Sequence, residues 1–153
     1  RRAAMESVLA EEIAAGWTPR VLGAAALEKQ HGCDILSTPP AGGDPHPVEV
    51  KGWGDPFIAA RRRFAYDQDI RASQMEAAKR DPNFRIEMVA NLTAYLAGAG
   101  PYERLTLTAS EIIERAVPRL YDVPLTGKEP EIVRRHAPPG TSATARDRSQ
   151  SHA

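Results

Sequence analysis

The run Val48-Glu49-Val50-Lys51-Gly52, read together with Gly32-Cys33-Asp34-Ile35-Leu36-Ser37 upstream of it, decides the fold of this chain. In an extended chain successive side chains alternate between two faces. Val48 and Val50 then share one face with Ile35 of a neighbouring strand, while Glu49 and Lys51 share the other with Asp34. Between the two runs, Ser37 to Pro47 is dense in Pro, Gly and Asp, residues that reverse a chain. The spacing predicts a β-hairpin with strands over Cys33 to Ser37 and Val48 to Trp53. Antiparallel pairing can set Asp34 opposite Glu49 or Lys51, and a slip of one residue would separate the acids.

An acid on one strand facing an acid and a lysine on the next can hold a divalent metal against a phosphodiester. Mg²⁺ takes hard oxygen ligands in near-octahedral geometry and keeps several waters, so two carboxylates plus substrate phosphate oxygens suffice. Asp34 and Glu49 are the expected ligands of Mg²⁺ or Mn²⁺, with the backbone carbonyl of Val50 as an additional one. A metal there polarises the phosphate and lowers the pKa of a bound water, and the ammonium of Lys51 orients that water or neutralises charge developing on phosphorus. The pattern points to metal-dependent hydrolysis of phosphodiesters. The competing reading of Glu-x-Lys on a strand is a solvated face with a cross-strand charge pair.

Outward from the hairpin, 153 residues predict one domain with its own core. Its 20 basic and 20 acidic residues balance, so no overall field draws in nucleic acid, and affinity for DNA must come from local patches or a neighbouring domain. The single cysteine, Cys33, forms no internal disulfide, and there is neither an apolar run of about 18 residues nor a secretory leader. These features predict a cytoplasmic protein without membrane association. The opening Arg1-Arg2-Ala3 lacks an initiator methionine and is helical in character from the outset, which suggests a domain of a longer polypeptide. Residues 136–153 are rich in Pro, Gly, Ser, Thr and Arg and bury too little to offset their ordering entropy. The expected division is a domain over 1–135 and a flexible tail.

Met5, Val8, Leu9 and Ile13 at helical spacing predict a helix over residues 2–15, stopped by Gly16. Val21-Leu22 reads as a short strand and Ala24 to Lys29 as a helical turn or two. Phe57 to Ile70 reads as an irregular hairpin or loop, ending in a short strand at Asp69 to Ala72. Ser73-Gln74-Met75-Glu76 matches a capping box opening a helix that Asp81-Pro82 ends, and Thr108-Ala109-Ser110-Glu111 matches another opening a helix to Ala116. Phe84, Ile86, Met88 and Ala90 alternate with polar and smaller residues as in a core strand. The order of elements predicts an α/β fold around a mixed sheet.

The blocks Arg1 to Met5, Val8 to Glu12 with Gly16, Gly32 to Ser37, Val48 to Gly52 and Ile70 to Met75 resemble the domain found at the C-terminus of the plant protein NO VEIN. That domain occurs also in bacterial helicase-like and restriction-associated proteins and is grouped with the PD-(D/E)xK nucleases, alongside Mrr-type and RecB-type enzymes. The resemblance covers roughly residues 1–92. It implies a restriction-endonuclease-like core, a mixed sheet flanked by helices, and an endonuclease acting on DNA in restriction-modification, antiviral defence or repair. It implies catalytic and metal-binding roles for Asp34, Glu49 and Lys51. Glu12 resembles the superfamily's helical acid that assists the metal site, and Gln74 falls where the family has an acid and Mrr-like and RecB-like enzymes a glutamine. It further implies a helicase-like or recognition domain as partner, and cutting of both strands suggests a homodimer. Cys33 departs from the usual aromatic before the aspartate, and the stretches 18–31 and 56–69 are longer than the family norm.

Each lesser candidate also has a plain structural reading. Glu12 and Gln74 read on their own as solvated helix residues, and Glu28 is an alternative to Glu12. Arg61-Arg62-Arg63, beside Phe64 and Tyr66, can contact phosphates with aromatic stacking or form a solvated loop. His31 and His46 flank the hairpin without zinc-ligand spacing, and Trp53 reads as core. Two other functions fit the same residues: a nucleic-acid-binding module without turnover, and a protein-interaction domain on which the triad is only a charged surface.

Overall fold

A computed structural model describes residues 2–25, 31–57, 67–69, 72–115, 122–124 and 127–134. The hairpin forms as β2 (Ile35–Thr38) and β3 (His46–Gly52), preceded by helix α1 (Arg2–Ala14) and strand β1 (Thr18–Val21). Strand β4 (Asp67–Asp69) and helix α2 (Ala72–Arg80) follow, then β5 (Arg85–Ala90), the short α3 (Leu92–Leu96) and β6 (Tyr102–Thr108). Helix α4 (Ala109–Arg115), β7 (Asp122–Pro124) and β8 (Glu131–Val133) complete the described elements.

Six strands make one mixed sheet in the order β1-β2-β3-β5-β6-β8, and β4 pairs with β7 in a separate two-stranded ribbon. β1, β2 and β3 are antiparallel neighbours. β5 lies parallel to β3, as a strand reached through a crossover helix can, and β6 and β8 return antiparallel. The fold is α/β, a mixed sheet flanked by helices. At the edge, Leu22 donates to the Asp34 carbonyl, so the alternate positions of β1, Pro19 and Val21, turn outward. Proline there has no N–H to offer, which blunts the exposed edge.

Alternation sorts the core into two layers. Ile35, Val48, Val50, Val89 and Tyr102 pack under α1 with its Ala4 and Val8. Ile86, Met88, Leu105 and Leu107 pack on the other face against Met75, Ala77 and Ala78 of α2 and Ile112 of α4. Each fully buried aliphatic side chain contributes about 1.5–3 kcal/mol. The expected sharing of one face by Ile35, Val48 and Val50 is what the sheet has. α1 runs antiparallel to β3: Ala4 meets its end, where a Cβ on Gly52 would lie 2.7 Å from the Ala4 Cβ, and Glu12 meets its beginning, bonding Ser37, the partner of His46.

The capping box at α4 forms as expected. Thr108 N–H donates to Glu111 Oε1 at 3.2 Å and Glu111 N–H to Thr108 Oγ1 at 3.3 Å. The other expected box does not. α2 begins at Ala72, so Ser73 lies inside the helix rather than capping it. β3 begins two residues earlier than expected, at His46, which places Pro47 in a strand. β2 begins at Ile35, later than the expected Cys33. Among the described residues no helix is long and apolar enough to cross a membrane. The expected tail at 136–153, Pro118 and most of the stretch Phe57 to Ile70 lie outside the described residues.

Candidate metal centre

Asp34 stands where β2 leaves the ladder. Ile35 pairs with Val48, yet Asp34 N–H also donates to the Val48 carbonyl at 2.9 Å. Two consecutive residues thus oppose one, the arrangement of a β-bulge. The next N–H of β3 on that side, Val50, donates to a side chain in place of a carbonyl: Asp34 Oδ2 accepts it at 2.9 Å. Leu22 N–H donates to the Asp34 carbonyl at 3.0 Å. Asp34 is therefore fixed through its N–H, its C=O and its carboxylate, and it is only 2% exposed.

Glu49 and Lys51 flank Val50 and are half-buried. Val48 and Val50 belong to the layer under α1, so alternation turns Glu49 and Lys51 to the face covered by α2. The Cys33 thiol registers both acids. Burial pushes it up to about 11, and the charges of Glu49 and Asp34 add to that rise.

Gly32 lets α2 close over this end. Its φ is +66, and a Cβ there would lie 2.6 Å from the Ser73 carbonyl oxygen and 2.9 Å from the Ala77 Cβ. Gln74 of the same helix is 3% exposed. It is buried, not solvated, on the helix packed on the sheet face to which Glu49 and Lys51 turn.

Glu12 is elsewhere. Its carboxylate lies under α1, on the face away from Glu49 and Lys51. Ser37 Oγ donates to its Oε2 at 3.1 Å, and the Arg85 guanidinium pairs with its Oε1. The hydrogen-bond partners the structure gives the Glu12 carboxylate are thus Ser37 and Arg85, not Asp34, Glu49 or Lys51. The inward face of α1 passes from apolar Ala4 and Val8 to charged Glu11 and Glu12, so Glu12 points into the sheet rather than around it.

There it joins a buried ionic network that sequence reasoning missed. Glu87 accepts from Arg85 at 2.6 Å, Arg104 at 3.0 Å and Thr106 at 2.7 Å. Glu11 accepts from the Tyr102 hydroxyl at 3.0 Å and from Arg104 at 3.4 Å. Burial and the Glu11 charge both push the Tyr102 phenol up. Burial opposes the charge on Arg104, but Glu87, Glu11 and Glu12 outweigh it and hold the guanidinium above its ordinary value. Arg85 also stacks over Trp17, 5.3 Å from the ring centroid, and Trp17 meets His46 edge-on at 4.9 Å. The available signal was the pairing of Arg85 with Glu87 and of Arg104 with Thr106 at period two on adjacent strands.

Trp53 packs against the core beside Phe57, as expected, with ring centroids 5.8 Å apart. Arg61, Arg62 and Arg63, with Phe64, Tyr66 and Glu28, lie outside the described residues. Among the described residues, no group of three or more His, Cys, Asp or Glu is arranged to hold a metal ion. The candidate centre is a two-carboxylate site, Asp34 with Glu49. The chain matches no family model, no curated protein and no solved structure.

Proposed function

We propose that this chain is a metal-dependent nuclease domain of the restriction-endonuclease-like class, hydrolysing phosphodiesters in DNA. The observation that carries the reading is the seat of the Asp34 carboxylate on the Val50 N–H, in the middle of Glu49-Val50-Lys51. Support comes also from the order of elements: a helix, three antiparallel strands, a short strand of the separate ribbon, a helix, then a strand parallel to the third.

The donor set suits Mg²⁺ or Mn²⁺, being hard and small enough to leave positions for waters and phosphate oxygens. Asp34 and Glu49 would hold the ion. A residue in a ladder turns its N–H and C=O to the same neighbour, so the Val50 carbonyl faces the Asp34 side and is the natural third ligand. The bound ion supplies charge neutralisation on the phosphate and a more acidic coordinated water. Lys51, on the Glu49 face, donates from its ammonium to the attacking water or to a phosphate oxygen, where charge develops. Gln74, buried on α2, supplies an amide to orient water or phosphate. The resemblance supports a setting in restriction, defence or repair beside a helicase-like or recognition domain, and two copies for cutting both strands. The balanced net charge fits a domain that relies on such a partner, or on Arg61, Arg62 and Arg63, for DNA affinity.

The test is incubation of the protein with supercoiled plasmid and Mg²⁺ or Mn²⁺. Nicking by the wild type that vanishes with chelator and in Lys51→Ala, with unchanged circular dichroism, is the expected result. DNA binding without nicking under any metal would instead make the domain a non-catalytic binding module.

A further inference from the structure

Ser37 and Glu12 share a hydrogen bond on the face of the sheet opposite the metal centre, yet Ser37 sits three residues from Asp34, on the short strand that Asp34 leads into. The ladder between β2 and β3 spans just the pairs Ile35–Val48, Leu36–Pro47 and Ser37–His46. So short a ladder leaves the seat of Asp34 dependent on other tethers of β2. The Ser37 hydroxyl is wholly buried and donates to Glu12 Oε2 at 3.1 Å. Glu12 is in turn fixed by Arg85 on β5, so the tether reaches across β3 from one neighbour to the other.

We infer that Glu12 is a positioning residue for the centre, acting through Ser37 to hold β2 against β3 and so keep the Asp34 carboxylate on the Val50 N–H. The tether itself is independent of metal; its effect on metal binding rests on the nuclease reading above. A ligand role and a positioning role differ in what Ser37 does. A ligand needs no help from Ser37, whereas a tether is cut equally from either end.

The experiment pairs hydrogen exchange of the metal-free protein with Mn²⁺ titration of wild type, Ser37→Ala, Glu12→Ala and the double variant. Ser37→Ala is expected to speed exchange of the Val50 amide about fivefold, the worth of one hydrogen bond, leaving the Met88 amide unchanged. Mn²⁺ affinity is expected to fall by a similar factor in both single variants, and the double variant to be no worse than Glu12→Ala. An unchanged Val50 amide in Ser37→Ala overturns the tether. Affinity lost in Glu12→Ala but intact in Ser37→Ala overturns it too, making Glu12 a ligand. A wild type that binds no Mn²⁺, with faster Val50 exchange in Ser37→Ala, upholds the tether and removes the nuclease reading instead. If Glu12→Ala fails to fold, Ser37→Ala alone decides.

Discussion

The carboxylate of Asp34 accepts the backbone N–H of Val50 at 2.9 Å, completing with a side chain a strand ladder that β2 has left. One acid thus has a structural task beside the metal-binding role proposed for it. Asp34→Asn keeps an oxygen for the Val50 N–H, whereas Asp34→Ala leaves that donor buried and unpaired. Asp34→Ala is expected to lose about 1–3 kcal/mol in urea denaturation and Asp34→Asn clearly less. Equal losses in the two variants would show that the bond does not hold the bulge.

Glu87 ties the opposite face together. It is fully buried, and Arg85, Arg104 and Thr106 all donate to it. Replacing it by alanine strips two half-buried guanidiniums of their common partner, at a cost of about 1.5–3 kcal/mol, the worth of hydrogen bonds to a charged group. A loss under 1 kcal/mol in chemical denaturation would mean that Glu11 and Glu12 satisfy both arginines unaided.

Gly32 answers two demands at once, a left-handed backbone and the close approach of Ser73 and Ala77. Gly32→Ala is expected to cost about 2–4 kcal/mol, from left-handed strain and overpacking together. Thermal melting reads this directly, and a near-wild-type melting temperature would contradict the packing of α2 against the loop before Asp34.

Alkaline pH should weaken the fold. Burial raises the Cys33 thiol from 9.0 to about 11, and burial with Glu11 raises the Tyr102 phenol above its ordinary 10.0. Both groups hold their protons more tightly folded than unfolded. Their contribution is complete below the unfolded values and is lost as pH rises, for Cys33 between about 9 and 11 and for Tyr102 from about 10 upward. Denaturation midpoints measured from pH 8 to 11 should fall, and Cys33→Ala should flatten the earlier part of the fall. A profile identical in Cys33→Ala and wild type would contradict the burial of this thiol.

Where residues alternate cleanly, the fold was legible from residues alone. Ile35, Val48 and Val50 announce one buried face, and Phe84, Ile86 and Met88 announce β5. β6 was hidden because its face toward α1 carries Arg104 and Thr106, half-buried residues held there by the ionic network and not by apolarity. The same network hid the direction of Glu12: a carboxylate on a helix reads as solvated until Arg85 and Ser37 are found beneath it. That Glu49 and Lys51 turn away from the face of Val48 and Val50 was legible from strand periodicity. The bulge that seats Asp34 on Val50 was not, because register breaks depend on hydrogen bonds between distant residues.

Calorimetric titration of Mn²⁺ into the protein and into Asp34→Asn tests the account most directly. One bound ion in the wild type is expected, weakened in Asp34→Asn by more than the roughly 10- to 100-fold typical of losing a supporting group. No binding to the wild type, or equal binding to both proteins, would contradict a metal centre built on Asp34 and Glu49.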